Sequence, residues 1–375
     1  MLTIGLPHTF LLLDSSIPNT FAGFLKPAYL YTAATCFFLL TIIVVAATFY
    51  ILHLKTKKEH FKTSIRAKLE EWITQVIVSD SPGDFTVPAN FLTLFKNQEA
   101  RQMLIDELVS NKNSFLGTVG DNIIKLYYQL GLNVDSRIKL DDSGAHIQCK
   151  GIHELCVMEQ KDQLRKVYQF TNSRDNDVRI EAQTAVLQWY GFKGLRFLNV
   201  VRYPLTEFHQ IKLLELLRLL PFEELPALNL WLQSKNDTVV SFALKLARHY
   251  KQVHVLAEAS ACLSHTNEAV RLQAIKTLAA IGDASTAMLL TDAYPKERYT
   301  NRLNILKELP KIATDEQRDF LIVQLHEGHE HLRLASAQVL AQCSADGMEI
   351  LEAKSYNEPI PYHDIYLHVK AEAVV

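Results

Sequence analysis

The residues best placed to do chemistry are histidines and cysteines at short spacing. His146, Cys149, His153 and Cys156 have the donor types and intervals of a zinc site, which needs nitrogen or sulfur ligands converging on one tetrahedral ion. A second group, His326, His329 and His331 in the run HEGHEH, interleaves three imidazoles with two carboxylates. Convergence decides the first case. Cys149 falls on a repeat column shared with Ile180 and Leu272 and expected to be buried, whereas His153 falls on a column expected to face solvent, so the four are not expected to share one ion. The HEGHEH run reads as a solvated turn, with a divalent site as its alternative. No metal and no cofactor are expected. Nor is there a GxSxG elbow, an HExxH pair or a phosphate-cradling glycine loop, the patterns that acyl transfer, metallohydrolysis and nucleotide chemistry leave in a sequence. The chain reads as a non-enzyme.

Charged residues recur instead at a fixed interval. Lys245, Lys276 and Lys307 stand 31 residues apart. If their helices stack at the usual separation they would form a basic stripe, one cation every ~10 Å, able to dock an acidic partner. The plain alternative is that these lysines solvate a helix face. Arg179, Arg271, Arg302 and Arg333 share another position, and Glu207, Asp237, Glu268 and Glu330 a third. A structural ladder of Arg–carboxylate contacts between neighbouring units is the economical reading.

The interval itself defines the elements that carry these residues. Taking Val178, His209, Val239, Val270, Asn301 and Leu332 as anchors, the steps are 31, 30, 31, 31 and 31. Four residues after each anchor come Ala182, Leu213, Ala243, Ala274, Ile305 and Ser336; eight after come Val186, Leu217, Ala247, Leu278, Leu309 and Leu340. A weaker copy starts at Ile147. Each anchor opens a helix with a wide apolar stripe, and a second apolar segment precedes it, as in LRFLNVV from Leu195 and LIVQL from Leu321. One helix pair cannot cover that much apolar surface, so the pairs must stack into an α-solenoid. Repeats are expected over 141–355, a helical N-terminal cap over 89–140, and an irregular capping tail over 356–375. Offset 6 from each anchor (His153, Thr184, Glu215, Lys245, Lys276, Lys307, Gln338) is expected to face solvent.

Residues 28–52 contain no charged side chain. As a helix they span roughly 37 Å, enough to cross a hydrocarbon core of about 30 Å. Residue 26 is the one basic residue before this span, whereas Lys55, Lys57, Lys58, Lys62, Arg66 and Lys68 follow it. The positive-inside rule then places 1–27 outside and the repeats in the cytoplasm. Five scattered cysteines without a CxxC pair fit reduced thiols on that side. A basic amphipathic stalk helix over 55–78 carries Phe61, Ile65, Leu69, Trp72 and Val76 on one stripe. That stripe suits an anionic lipid surface or a partner helix, or else packing on the repeat domain. SDSPGDFTVP, ending at Pro88, breaks the helix. A formal net charge of −2 argues against nucleic acid, which demands a large basic excess.

Through DNDVRIEA at 175–182 (that run ends on Ala182), EAVRLQA at 268–274 and HLRLASA at 331–337 the chain resembles the HEAT-repeat superfamily. The resemblance covers residues 140–350. It implies an all-α solenoid of HEAT-type, armadillo-like helix pairs with one N-terminal transmembrane helix, whose repeat faces bind protein partners. The order of span, basic stalk and a KGIHEL segment at 150–155 also looks like bacterial membrane-anchored HEAT proteins. That likeness implies a single-pass protein of the bacterial inner membrane and an adaptor role, with a membrane partner such as a glycosyltransferase. Two alternatives stand beside it: an enzyme or enzyme regulator similar to HEAT-like bilin lyases, and a lipid-surface protein working through the stalk.

Overall fold

The computed structural model describes residues 27–78, 85–115, 117–222, 225 and 227–373. Among them every regular element is helical. The chain divides into two compact units, Met1–Leu108 and Val109–Val375.

The first unit is dominated by α1 (Pro27–Val78), one uninterrupted helix of 52 residues. Span and stalk, expected as separate elements, are therefore a single rod of about 78 Å. Within it Tyr31–Lys57 contains an 18-residue stretch with a mean hydropathy of 2.5 and no buried residue. By length and composition this stretch can cross a membrane. Its threonines leave little polar demand behind: the hydroxyls of Thr32, Thr41, Thr48 and Thr56 each donate to a carbonyl one turn back, the back-bond that satisfies a hydroxyl within its own helix. The expected 1–27 segment lies, apart from residue 27, outside the described residues, as do 79–84 of the expected break; 85–88 are non-helical.

Further along α1 the stripe turns inward. Ile65, Leu69, Trp72 and Ile73 are buried, at the i, i+4, i+7, i+8 positions of one helix face. The side chains of Lys58, Phe61, Lys62 and Val76 lie outside the described residues. α2 (Ala89–Leu94) and α3 (Gln98–Ser114) follow, and Trp72 stacks on Phe91 at 5.1 Å between ring centroids, with Phe95 at 6.1 Å. Arg66 bridges Glu70 at 3.1 Å and Glu107 at 3.3 Å. The described part of the stalk's apolar face thus packs within its own unit, on α2 and the turn that follows it.

The second unit is the solenoid. After α4 (Thr118–Gln129), helices pair off as α5 (Leu132–Ile138) with α6 (Ala145–Val157), then α7 (Leu164–Phe170) with α8 (Asn176–Tyr190). A 3-10 run, Gly191–Asn199, precedes α9 (Glu207–Arg218). The series continues with α10 (Leu228–Leu232) and α11 (Asp237–His249), α12 (Leu256–Ala261) and α13 (Glu268–Ile281), α14 (Ala284–Ala293) and α15 (Tyr299–Glu308), α16 (Arg318–Gln324) and α17 (Glu330–Cys343). Apart from α14 and α15, which are both ten residues long, each pair has a short first helix and a longer second one, and successive second helices pack on each other from α11 through α13 and α15 to α17.

All eighteen residues at the anchor positions and at offsets 4 and 8, from Val178 to Leu340, are buried. Second helices begin on a cap three residues before the anchor. The side chains of Asp175, Thr206, Asn236 and Asn267 accept backbone N–H groups there, satisfying donors that a helix start leaves open. The C-terminal end departs from the expected irregular tail. α18 (Gly347–Asn357) and α19 (Pro359–Ala373) form a closing pair. Tyr362, Ile365, Tyr366 and Val369 are buried, and Tyr362 donates its hydroxyl to the Leu325 carbonyl at 2.8 Å.

Candidate functional site

A basic concavity of the solenoid runs across the second helices. It is a cleft of about 770 Å³ reached by Leu214 of α9, Lys245 and Arg248 of α11, Gln273 of α13, and Lys311 and Ile312 after α15. His249 and Lys251 at the end of α11 complete its basic lining, and no carboxylate lines it. Three lysines, an arginine and a histidine thus face one space.

Each cation is held differently. Lys245 donates to the amide oxygen of Gln210 at 2.9 Å, and Gln210, buried in α9, donates in turn to the Leu205 carbonyl. Burial pushes the Lys245 pKa down and nearby Lys276 adds to the effect, against the opposing pull of Glu207. Lys251 donates to the Ala280 carbonyl at 2.9 Å. Lys311 pairs with Glu308 on its own turn. Arg248 is half-buried and, among the described residues, has no hydrogen bond or ion pair, leaving its planar fork of donors open to an incoming anion.

The expected lysine column is corrected by this geometry. Lys245 and Lys276 are half-buried and Thr184 is buried, while His153, Glu215 and Lys307 are exposed. Offset 6 lies beside the seam between adjacent second helices, so how much solvent it sees depends on how closely each pair packs. Lys245 lines the cleft; Lys276 and Lys307 do not. Periodic reading missed Arg248, Lys251 and Lys311 because they sit at three different offsets, near the C-terminal ends of their helices. Their one readable signal was the cluster RHYK at 248–251.

The arginines do form rungs, but with other acids than those expected. Arg271 meets Glu297 with two donors, at 2.6 and 3.2 Å, and Arg302 meets Glu327 at 3.2 Å. These acids precede the next anchor by four and five residues, where the chain enters the following second helix. Arg179 lies over the Tyr203 ring at 4.8 Å and bonds carbonyls and Asn176 instead, and Arg333 donates to the Glu327 carbonyl. Two of the acids two before an anchor make a second kind of rung: Asp237 accepts from Asn267 at 2.7 Å, and Glu268 accepts from Arg298 at 3.3 Å. Glu297 also accepts from Asn301 at 2.7 Å, so the buried carboxylate is bonded on both oxygens.

The histidine–cysteine group divides. His153 and Cys156 border one cleft with Glu181 and Gln188. His153 bonds Glu181 at 2.9 Å, a contact that raises its pKa. The Cys156 thiol donates to Gln188 at 2.8 Å and burial pushes its pKa up to about 12. A thiol held neutral in this way is a packing group, not a nucleophile. Cys149 is pushed up to about 11, mainly by desolvation. His326, His329 and His331 are exposed, and Glu327 between them is committed to Arg302. Among the described residues no three His, Cys, Asp or Glu are arranged to hold a metal.

No family model matches the chain, and no curated protein does. Two solved structures are similar over much of its length. One is a crystal structure of an engineered protein, 13% identical with a TM-score of 0.32, covering 73% of this chain and 80% of that one. The other concerns tubulin recruitment and assembly by microtubule polymerases with tumor overexpressed gene domain arrays; it is 12% identical with a TM-score of 0.22 and covers 68% of each chain. At those scores neither superposes well enough to transfer a site.

Proposed function

We propose that this chain is a membrane-anchored, non-catalytic scaffold of the HEAT type, which docks an acidic protein surface on its second-helix face. The observation that carries the reading is the cleft lined by Lys245, Arg248, His249, Lys251 and Lys311 without a carboxylate, extended by the half-buried Lys276 and exposed Lys307. Cations gathered on a rigid repeat surface favour an anionic partner and speed its approach. In this reading Tyr31–Lys57 crosses a bacterial inner membrane with the N-terminus outside, because the basic residues follow the span. The repeats then work in the cytoplasm, next to a membrane-embedded partner such as a glycosyltransferase.

The lipid-surface alternative is disfavoured by the burial of Ile65, Leu69 and Trp72, the described residues of the stalk's apolar stripe. Catalysis of the bilin-lyase kind gains no support from the neutral Cys156 thiol. Affinity capture from a detergent extract, with the full chain and with a chain truncated after the stalk, tests the scaffold. Capture of the same partner by both forms would defeat the claim that the repeats do the docking.

A further inference from the structure

We propose that the basic cleft receives an extended acidic segment of the docked partner, about eight residues long, with Arg248 as its anchoring cation. This deepens the scaffold reading and rests on it. Shape supplies the first argument. The lining residues come from four successive repeats, from Leu214 on α9 to Lys311 after α15. Neighbouring helix axes lie 8–10 Å apart, so three such steps give a length of roughly 27 Å. A volume of about 770 Å³ over that distance leaves a cross-section of roughly 30 Å², a narrow trough along which one extended chain, rising about 3.3 Å per residue, can lie with its outer edge in solvent. Four of the five cations, Lys245, Arg248, His249 and Lys251, belong to the α11 repeat and Lys311 to the α15 repeat, so an occupant that meets all of them has to run along the cleft farther than a single phosphate reaches.

Charge supplies the second argument. Lys245, Lys251 and Lys311 already have local acceptors, whereas the Arg248 fork is open, and arginine binds a carboxylate through two parallel hydrogen bonds. The cleft gathers like charges on one surface; the pKa of Lys245 is lowered chiefly by burial, with Lys276 adding to the effect. Leu214, Ala279 and Ile312 interrupt the basic lining, giving apolar seats for side chains that alternate with the acidic ones along an extended segment.

The test uses the detergent-solubilised full chain and fluorescence anisotropy of a fluorescein-labelled nonaglutamate. Saturable binding is expected, weakened at least tenfold by raising salt from about 50 to 300 mM and at least tenfold by Arg248→Gln, with the variant's melting temperature unchanged. Nonalysine should not bind, and tripolyphosphate should compete far more weakly than unlabelled nonaglutamate. Absence of saturable binding, full affinity in Arg248→Gln, or equal competition by tripolyphosphate, the mark of a small-anion site, would each overturn the proposal. No peptide binding beside intact repeat-dependent capture overturns the acidic segment and spares the scaffold. Peptide binding without any repeat-dependent capture overturns the scaffold and, because the segment belongs to the partner, this proposal with it.

Discussion

His209 occupies an anchor position that is Val178, Val239 and Val270 in other repeats, and it should make the solenoid acid-sensitive. Its side chain is 2% exposed, and its Nε2 has no hydrogen-bond partner. Desolvation, with Lys212 and Arg179 nearby, lowers its pKa from 6.5 to about 4. An unfolded chain therefore takes up a proton at His209 near pH 6.5, whereas the native chain stays neutral until about pH 4. Between those values the unfolded state binds more protons, so stability rises with pH and is lost as pH falls through that window. At 1.36 kcal/mol per pKa unit, the shift corresponds to about 3 kcal/mol at its limit. Replacing His209 by Val removes this contribution and one unsatisfied buried nitrogen. Thermal melts of the detergent-solubilised protein at pH 4.5, 5.5 and 7.5 read the effect. The variant should gain on the wild type steadily as the pH drops. Parallel melting curves across that range would show that the native imidazole is as easily protonated as a free one, and would refute the reasoning.

Further outcomes follow from the same packing. Ala274→Asp should cost several kcal/mol, since Ala274 is fully buried and a carboxylate there has no partner, whereas Lys276→Asp should stay within about 1 kcal/mol; similar melting temperatures for the two would put the register in error. Arg271→Ala should cost about 2–4 kcal/mol by stranding the buried Glu297, which is 6% exposed. Adding Glu297→Gln should recover part of that loss, and strictly additive losses would deny the rung. A reporter fused after Val375 should behave as cytoplasmic, and periplasmic activity would reverse the proposed topology.

The repeat core was legible because burial is what a fixed interval reports. Val178, Val239, Val270 and Leu332 mark the same point of the same helix, and the helix packs the same way each time. His209 and Asn301 kept that position despite their polarity, as the period required. First helices were less legible: α10 and α12 have five and six residues, too short to carry a periodic stripe. The closing helix α19 hid behind Pro359 and Pro361, which read as breakers although Tyr362, Ile365, Tyr366 and Val369 follow at helical spacing. The caps at Asp175, Thr206, Asn236 and Asn267 were visible in the sequence and went unused. For the arginines the offset was readable but the partner was not, because Glu297 and Glu327 lie in connecting turns whose path the interval does not encode. The cleft was the least legible feature. Its cations occupy several offsets, and only the stacking of α9, α11, α13 and α15 brings them to one space.

Docking on the second-helix face, rather than on another surface, sets which side chains lie within reach of the partner. A photo-crosslinking amino acid placed in the full chain in its native membrane tests this directly. One position is Lys276, beside the cleft; the other is Met288, exposed on α14, a first helix. The account predicts a discrete adduct from position 276, lost when Lys245 and Arg248 are both changed to Glu, and none from position 288. Adducts from 288 alone, or an adduct at 276 indifferent to the charge reversal, would contradict it.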